Sequence, residues 1–389
     1  MANAHPHQDH HGAALGHSAA LAEVIRAEAE AAGGALAFDR FMELALYAPG
    51  LGYYMAGAHK LGAGGDFVTA PEVSPLFGRC LARQCQEVLA AAGGGDILEV
   101  GGGSGALASQ ILAQLERDGA LPERYLILEL SPELRQRQAT RLAAELPHLT
   151  PRLRWLKDLP QRLQGVVIAN ELLDAMPVHR FRIRTDGRAG EILVRPEAGG
   201  WEELLAEPRS KGLADAVAQL QKAGLATAAG YQGEVNLRLK PWLTALAAGL
   251  ERSLVLLIDY GYPRHELYHP QRTAGSLLCH HRQTAHHDPY RWLGLQDITA
   301  HVDFTAVAEA ADAAGLTVTG YTTQAHFLIG CGLDGLIGEG TEDALDLALG
   351  AKQLVLPAAM GERFQVMGLT KDLAGPWRGF SGRDLRGRL

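Results

Sequence analysis

The segment Glu99-Val100-Gly101-Gly102-Gly103-Ser104-Gly105 sets an acid and three evenly spaced glycines directly after an apolar run. Glycines at such a turn let the chain bend sharply and bring backbone N–H groups close to a ligand. Two ligand classes use the arrangement. A dinucleotide asks for GxGxx(G/A), which Gly101, Gly103 and Ala106 meet formally. S-adenosylmethionine (SAM) goes with (E/D)xGxGxG, which Glu99, Gly101, Gly103 and Gly105 meet in full. The acid separates the two. A carboxylate two residues before the first glycine repels a pyrophosphate, whereas SAM has no phosphate and carries an ammonium and a sulfonium. The residues therefore point to SAM, with an NAD(P)-dependent oxidoreductase as the alternative.

Further acids fall where such a site needs them. Glu129 ends the next apolar run, where a carboxylate can accept hydrogen bonds from both ribose hydroxyls of either nucleoside. Asp158 follows the third run and is either a partner of the adenine amino group or a solvated loop carboxylate. The fourth run leads into Asn170-Glu171-Leu172-Leu173-Asp174-Ala175-Met176-Pro177, which places Asn170 and Glu171 at the mouth of the site. If the chain turns helical there, Glu171 and Asp174 share a face. Paired carboxylates can hold a guanidinium in a forked geometry and align one nitrogen with a methyl group. For Asp174, capping or supporting the loop is the other reading.

These residues must be held by alternating strands and helices. Strands are expected at 97–100, 125–130, 153–156, 166–169, 254–259, 317–322 and 365–370. Helices are expected at 75–91, 104–115, 132–146, 304–314 and 334–352. This alternation predicts an α/β fold with a doubly wound sheet covered on both faces. Earlier, helices are expected from Leu21 to Gly33 and at 38–47, then a glycine-rich loop too long for a simple connection. Asp186-Gly187 between 181–183 and 191–194 reads as a β-hairpin, and helical stretches follow near 202–223 and 240–250. The expected organisation is a disordered His-rich tail at 1–19, an N-terminal helical extension with a covering loop at 20–95, and a core at 96–179 and 251–371. An inserted α+β segment at 180–250 lies on the substrate side, and a C-terminal tail occupies 372–389.

Composition excludes several classes. The net charge of −8 gives no general attraction to nucleic-acid phosphates. No apolar run approaches a membrane span, so no membrane insertion is expected. Cys80, Cys85, Cys279 and Cys331 form no CxxC pair, and Arg26 is the first Lys or Arg, which together point to reduced thiols in a cytoplasm. The tail carries His5, His7, His10, His11 and His17 but few residues to bury. Cys279, His280, His281, His286, His287, Asp288 and His301 suggest zinc, yet their spacing matches no standard finger, so no metal is expected.

Several strings resemble the MidA family of SAM-dependent methyltransferases, whose mitochondrial members include an arginine methyltransferase needed for respiratory complex I assembly. They are Phe41-Met42-Glu43, Leu46-Tyr47, Gly52-Tyr53-Tyr54, the run from Gly65 to Ser74, the glycine loop, 170–177, Ile258-Asp259-Tyr260-Gly261 and the run from Asp297 to Phe304. The resemblance covers about residues 21–370 and departs from the family pattern at Ser276 and Gln283. It implies a class I methyltransferase fold, Rossmann-like, with a seven-stranded sheet whose last strand is antiparallel. It also implies that Gly65, Asp66, Thr69, Pro71 and Glu72 fold over the cofactor and that no metal is used; beside it, Asp297, His301 and Asp303 are read as structural or substrate-side residues and Asp259 as a substrate-side one. The expected function is then direct methyl transfer from SAM to a protein arginine, with Glu171 and Asp174 as catalytic carboxylates. The implied protein substrate is a respiratory NADH dehydrogenase subunit. A non-catalytic SAM-binding assembly factor is the remaining alternative.

Overall fold

The computed structural model describes residues 6–56, 69–338 and 344–389. The chain divides into two units. One is made of Leu61–Asp174, Leu239–Arg264 and Val302–Leu389; the other combines Met1–Lys60, Ala175–Arg238 and His265–His301.

The larger unit is built on a sheet whose strands, in chain order, are β1 (Asp96–Val100), β2 (Tyr125–Leu128), β3 (Leu153–Leu156), β4 (Leu163–Asn170), β5 (Leu250–Tyr262), β6 (Thr317–Thr323) and β7 (Phe364–Lys371). Their order across the sheet is β3-β2-β1-β4-β5-β7-β6, with Val302–Asp303 added beside the end of β5. The first five pair in parallel, and β7 runs antiparallel to both β5 and β6. This is the class I methyltransferase order, with the antiparallel last strand that the resemblance implies.

The central strands are apolar without alternation because both faces are covered. On one face Ile97, Ile127, Val166, Ile168, Leu254 and Leu256 join Leu76, Phe77 and Leu81 of helix α1 (Pro75–Ala92) with Leu107, Ile111 and Leu112 of α2 (Ala106–Arg117). On the other face Leu98, Val167, Val255 and Leu257 are equally buried. Each such side chain contributes about 1.5–3 kcal/mol on burial. Helix α3 (Pro132–Glu145) starts where Ser131 accepts from Leu134 N, with Pro132 in its first turn. Beyond β4, α4 (Leu239–Ala248) packs on α5 (Phe304–Ala313). The strand order reverses between β1 and β4, so the carboxyl ends of these two strands frame the crevice where such sheets bind ligands.

The smaller unit carries an antiparallel sheet in the order Leu36–Ala37, Ala189–Glu197, His179–Ile183, Gln232–Val235, with Gly200–Ala206 also paired to Ala189–Glu197. A second small sheet joins Thr284–His286, Leu278–His281 and Asp297–Thr299. Leu21, Ile25, Phe38, Phe41, Met42, Val194 and Ile298 form its core.

Several expectations need correction. The stretch 1–19 is not a free tail over its described part: one helix runs from Pro6 to Ala31. Its alanines are strong helix formers, Leu21 and Ile25 anchor it, and the His17 ring reaches Leu51 O at 2.8 Å. The first part of 202–223 is the strand Gly200–Ala206, followed by the helix Leu213–Lys222. Glu202 to Leu205 favour a helix locally, but pairing with Ile192–Arg195 overrides that preference. The inserted segment is longer and discontinuous: 265–301 joins it, whereas Leu239–Ala248 belongs with the sheet. The stretch 334–352 is two helices, Leu333–Gly338 and Ala344–Val355. Residues 372–389 are folded onto their unit, with Trp377 and Leu385 buried and Leu385 N donating to Tyr321 O at 2.7 Å. All four cysteines are buried free thiols, and among the described residues no helix is long and apolar enough to cross a membrane.

Candidate active site

The glycine loop leaves β1 and ends at Gly105, which precedes α2. Gly101 has φ +77°, a conformation that side chains other than glycine's seldom adopt. At Gly102 an added Cβ would sit 2.8 Å from Ile127 Cγ2 and 3.0 Å from Gln138 Nε2, so only a bare backbone passes. The loop is thus held tight against β2 and α3.

Gln138 does most of that holding. It is fully buried on α3. Its Nε2 donates to Gly103 O at 3.0 Å and to Glu129 Oε2 at 3.1 Å, and its Oε1 accepts from Trp155 Nε1 at 2.9 Å. Glu129, just beyond β2, also accepts from Ser131 N at 3.0 Å. Burial pushes the Glu129 carboxyl above its ordinary range, and the Ser131 and Gln138 donors pull it back. Glu99 lies inside β1, 3% exposed, and accepts from Tyr125 OH at 2.8 Å. Burial first, and Glu129 after it, push its carboxyl up to about 8 against the pull of the Tyr125 hydroxyl.

A second group sits beside the loop. Ser104 donates to Glu72, and Arg141 Nη1 reaches both Glu72 Oε1 and Ser104 Oγ at 3.1 Å. Thr69 precedes the short helix Ala70–Val73, in which Pro71 is buried and its carbonyl accepts from Gln110 Nε2 at 2.7 Å. Gly65 and Asp66 lie outside the described residues.

At the carboxyl end of β4 the chain does not turn helical, so Glu171 and Asp174 do not share a helix face as the sequence suggested. Glu171 continues the ladder by donating its N–H to Ile258 O at 2.9 Å, then takes φ +52°, the left-handed region. The next three N–H groups turn inward to Asp259 Oδ2: Leu172 at 3.1 Å, Leu173 at 2.8 Å and Asp174 at 3.3 Å. Asp259 is 1% exposed on β5, which removes it from the substrate surface expected for it from the sequence. Burial, then Asp174 and Glu171, push its carboxyl well above the usual range. Asp174 is itself buried and accepts from Tyr260 OH. Asn170 Nδ2 donates to Glu171 Oε1 at 3.1 Å, while Asn170 Oδ1 is buried without a hydrogen-bond partner among the described residues.

The sheet therefore brings together Gly101, Gly103, Gly105, Glu99, Glu129, Asn170, Glu171, Asp174 and Asp259 at the carboxyl ends of β1, β2, β4 and β5, with Glu72 beside the glycine loop. Asp158 follows β3 in an exposed bend. Asp297 and His301 belong to the smaller unit. There Tyr54 OH donates to both Asp297 oxygens at 3.0 Å, and burial with Arg272 lowers the His301 pKa to about 4. His281 stacks on Trp292 at 4.4 Å and its Nδ1 lies 2.8 Å from Leu295 O, while His287 Nδ1 lies 3.1 Å from Leu277 O. Sequence reasoning missed Gln138, Tyr125, Arg141 and Tyr260. Gln138 left a usable signal: a polar residue four before Leu142 on the buried face of an amphipathic helix.

The residues fit SAM. Bare loop backbone lets a ligand approach closely, Asn170 Oδ1 offers a buried acceptor, and the surrounding acids favour a cationic ligand over a pyrophosphate. Known proteins agree. A family model described as "Putative S-adenosyl-L-methionine-dependent methyltransferase" matches residues 80–322. The chain is 30% identical over 362 residues to the mitochondrial protein arginine methyltransferase NDUFAF7 of Danio rerio, covering 85% of this chain and 82% of that one. It is 26% identical to the Drosophila melanogaster homologue, covering 90% and 84%. A crystal structure from Burkholderia thailandensis with S-adenosyl-homocysteine bound superposes with a TM-score of 0.92 at 40% identity, covering all of both chains. The curated relatives are mitochondrial, which overturns the cytoplasmic location expected from the thiols and the N-terminal charge. The glycine loop, the class I strand order and these relatives lead to one assignment: the chain belongs to this family and is a SAM-dependent methyltransferase.

Proposed function

We propose that the methyl acceptor is an arginine side chain of a protein and that Glu171 is the carboxylate that receives it. The observation that carries the proposal is Glu171 itself. It is a non-glycine residue in left-handed backbone at the carboxyl end of β4, next to the glycine loop. Strained backbone of this kind clusters at functional sites. The arginine methyltransferase names of the relatives support the acceptor class. A respiratory NADH dehydrogenase subunit is the substrate that the family resemblance implies.

In this reading the glycine loop, Glu99, Glu129, Asp158 and Asn170 seat the cofactor, with Gly65, Asp66, Thr69, Pro71 and Glu72 covering it. When bound, SAM supplies a methyl group already activated by its sulfonium. What remains for the protein is orientation and exclusion of water. An arginine guanidinium is protonated far above neutral pH and is a poor nucleophile. Glu171 accepts its N–H groups, aims one nitrogen along the sulfur–methyl axis, and balances the positive charge there. A new N–C bond forms as the C–S bond breaks with its electron pair left on sulfur, and the nitrogen passes one proton to the Glu171 carboxylate and from there to water, leaving a methylguanidinium. Asp174 acts from beneath, through Tyr260 and the loop. Asp297 and His301 are proposed to serve the protein substrate.

Glu171→Gln tests the assignment. Transfer of label from methyl-labelled SAM to proteins of a lysate lacking the enzyme falls by about 10²-fold or more, while isothermal titration shows unchanged SAM binding. Undiminished transfer refutes the role of Glu171. Label recovered on residues other than arginine refutes the acceptor.

A further inference from the structure

A carboxylate on the neighbouring strand holds the whole turn that carries Glu171. The β4–β5 ladder ends where Glu171 N meets Ile258 O. Beyond it the chain leaves the sheet, and three successive N–H groups lose their strand partners. All three converge on Asp259 Oδ2, at 2.8–3.3 Å. Asp259 Oδ1 accepts from Tyr260 N at 2.9 Å, which fixes the carboxylate plane. The next side chain on the same strand completes the grip, with Tyr260 OH bonded to Asp174. Two consecutive residues of β5 thus take hold of the backbone and the side chain of one turn.

We infer that Asp259 is a positioning residue for methyl transfer, which acts by gathering the amides of 172–174 and so fixing the left-handed backbone and direction of Glu171. This rests on the reading of Glu171 given above. Successive N–H groups converging on one anion form a concave nest, a geometry that needs an acceptor to persist. An isolated left-handed glutamate would relax toward ordinary backbone if that acceptor were lost. Asp259 is too deeply buried to touch a protein acceptor, so its influence passes through the turn.

The test uses the full chain with Asp259→Ala, Asp259→Asn, Glu171→Gln and the double variant Glu171→Gln/Asp259→Ala. Asp259→Ala lowers the initial rate of label transfer to lysate protein at saturating SAM by about 10²-fold, the cost of displacing a reacting group by about 1 Å. Its SAM dissociation constant stays within about threefold, since the same change displaces no cofactor-seating residue. Asp259→Asn keeps one acceptor oxygen and recovers part of the rate. Amide exchange at Leu172, Leu173 and Asp174 speeds up in Asp259→Ala while that of β4 and β5 is unchanged. The double variant is no slower than Glu171→Gln alone. A wild-type rate in Asp259→Ala, unchanged exchange at the three amides, or a multiplicative double variant each overturns the inference. If Asp259→Ala does not fold, Asp259→Asn carries the same readings. An active Glu171→Gln beside a slow Asp259→Ala with fast amide exchange overturns the role of Glu171 and leaves Asp259 as the organiser of the turn alone.

Discussion

Glu99 makes the stability of the ligand-free protein depend on pH in an unusual direction. Its carboxyl moves from an ordinary 4.5 to about 8, chiefly by burial. A raised acid favours its neutral form in the fold. Its contribution is therefore complete below about pH 4.5, declines as the unfolded chain ionises and the folded one does not, and is exhausted as pH rises through about 8. The difference amounts to about 4–5 kcal/mol across that window, at about 1.4 kcal/mol per pH unit. That is a large fraction of a typical domain's stability of about 5–15 kcal/mol. Glu99→Gln keeps an acceptor for Tyr125 OH and removes the titration. Urea unfolding of both proteins without ligand, from pH 5 to 9, reads the effect. The wild type loses stability relative to Glu99→Gln by about 1 kcal/mol per unit up to pH 8, and the difference then levels off. Saturating SAM flattens this slope in the wild type, because positive charge near the carboxyl favours its ionised form. Parallel curves for the two proteins would mean that Glu99 is ionised within the sheet, and the reasoning from burial would fail.

Two further predictions concern the cradle around the glycine loop. Gln138→Leu leaves Gly103 O, one Glu129 oxygen and Trp155 Nε1 without their partner, which costs about 2–4 kcal/mol and lowers Tm by about 5–15 °C. SAM affinity falls about tenfold with it, and a variant with both unchanged removes Gln138 from the site. Gly102→Ala places a methyl group 2.8 Å from the branched, buried side chain of Ile127, so calorimetric SAM binding weakens about tenfold or more while the far edge of the sheet, read by amide exchange at β6 and β7, stays intact. Wild-type affinity in Gly102→Ala would mean that the loop has room to spare.

The sheet was legible because its signals are local. Apolar runs such as Leu254–Ile258 between helical periods announce a parallel strand covered on both faces, and the spacing of Gly101, Gly103 and Gly105 announces the turn after β1. The antiparallel β7 came from the family resemblance, since strand direction leaves no mark in composition. Elsewhere local preference misled. Glu202 to Leu205 read as helix, and only pairing with a strand ten residues earlier makes them a strand. The alanine-rich start read as a tail, because the residues that anchor its helix lie further along the chain. The smaller unit was recognised only in part, because three separated segments assemble it. At the site, residue types were readable and their directions were not. Asp259 looked like a substrate contact, yet its oxygens face the backbone of 172–174, and nothing in the sequence shows which way a strand-end acid points.

Acids crowd the carboxyl ends of β1, β2, β4 and β5: Glu99, Glu129, Glu171, Asp174 and Asp259. Burial raises Glu99, Glu129 and Asp259, and neighbouring acids add to it at Glu99 and Asp259, so the fold bears a cost that hydrogen-bond donors offset in part and a bound cation offsets further. At about 6 Å and an effective dielectric of about 20, one positive charge interacts with one carboxylate by about 3 kcal/mol, and a phosphate is opposed by as much. A pyrophosphate brought to this crevice meets that opposition from each acid that is ionised and holds the raised ones neutral, while a sulfonium and an ammonium draw them toward their ionised form. The glycine spacing tolerates either ligand; the acids do not. The same logic extends to the proposed acceptor, because a guanidinium is also a cation and enters beside the same carboxylates. A neutral acceptor such as a hydroxyl would leave Glu171 uncompensated after the sulfonium charge is lost on transfer. A guanidinium is still a cation after it has gained the methyl group and given up one proton, so Glu171 keeps a counter-charge when the sulfonium charge is gone.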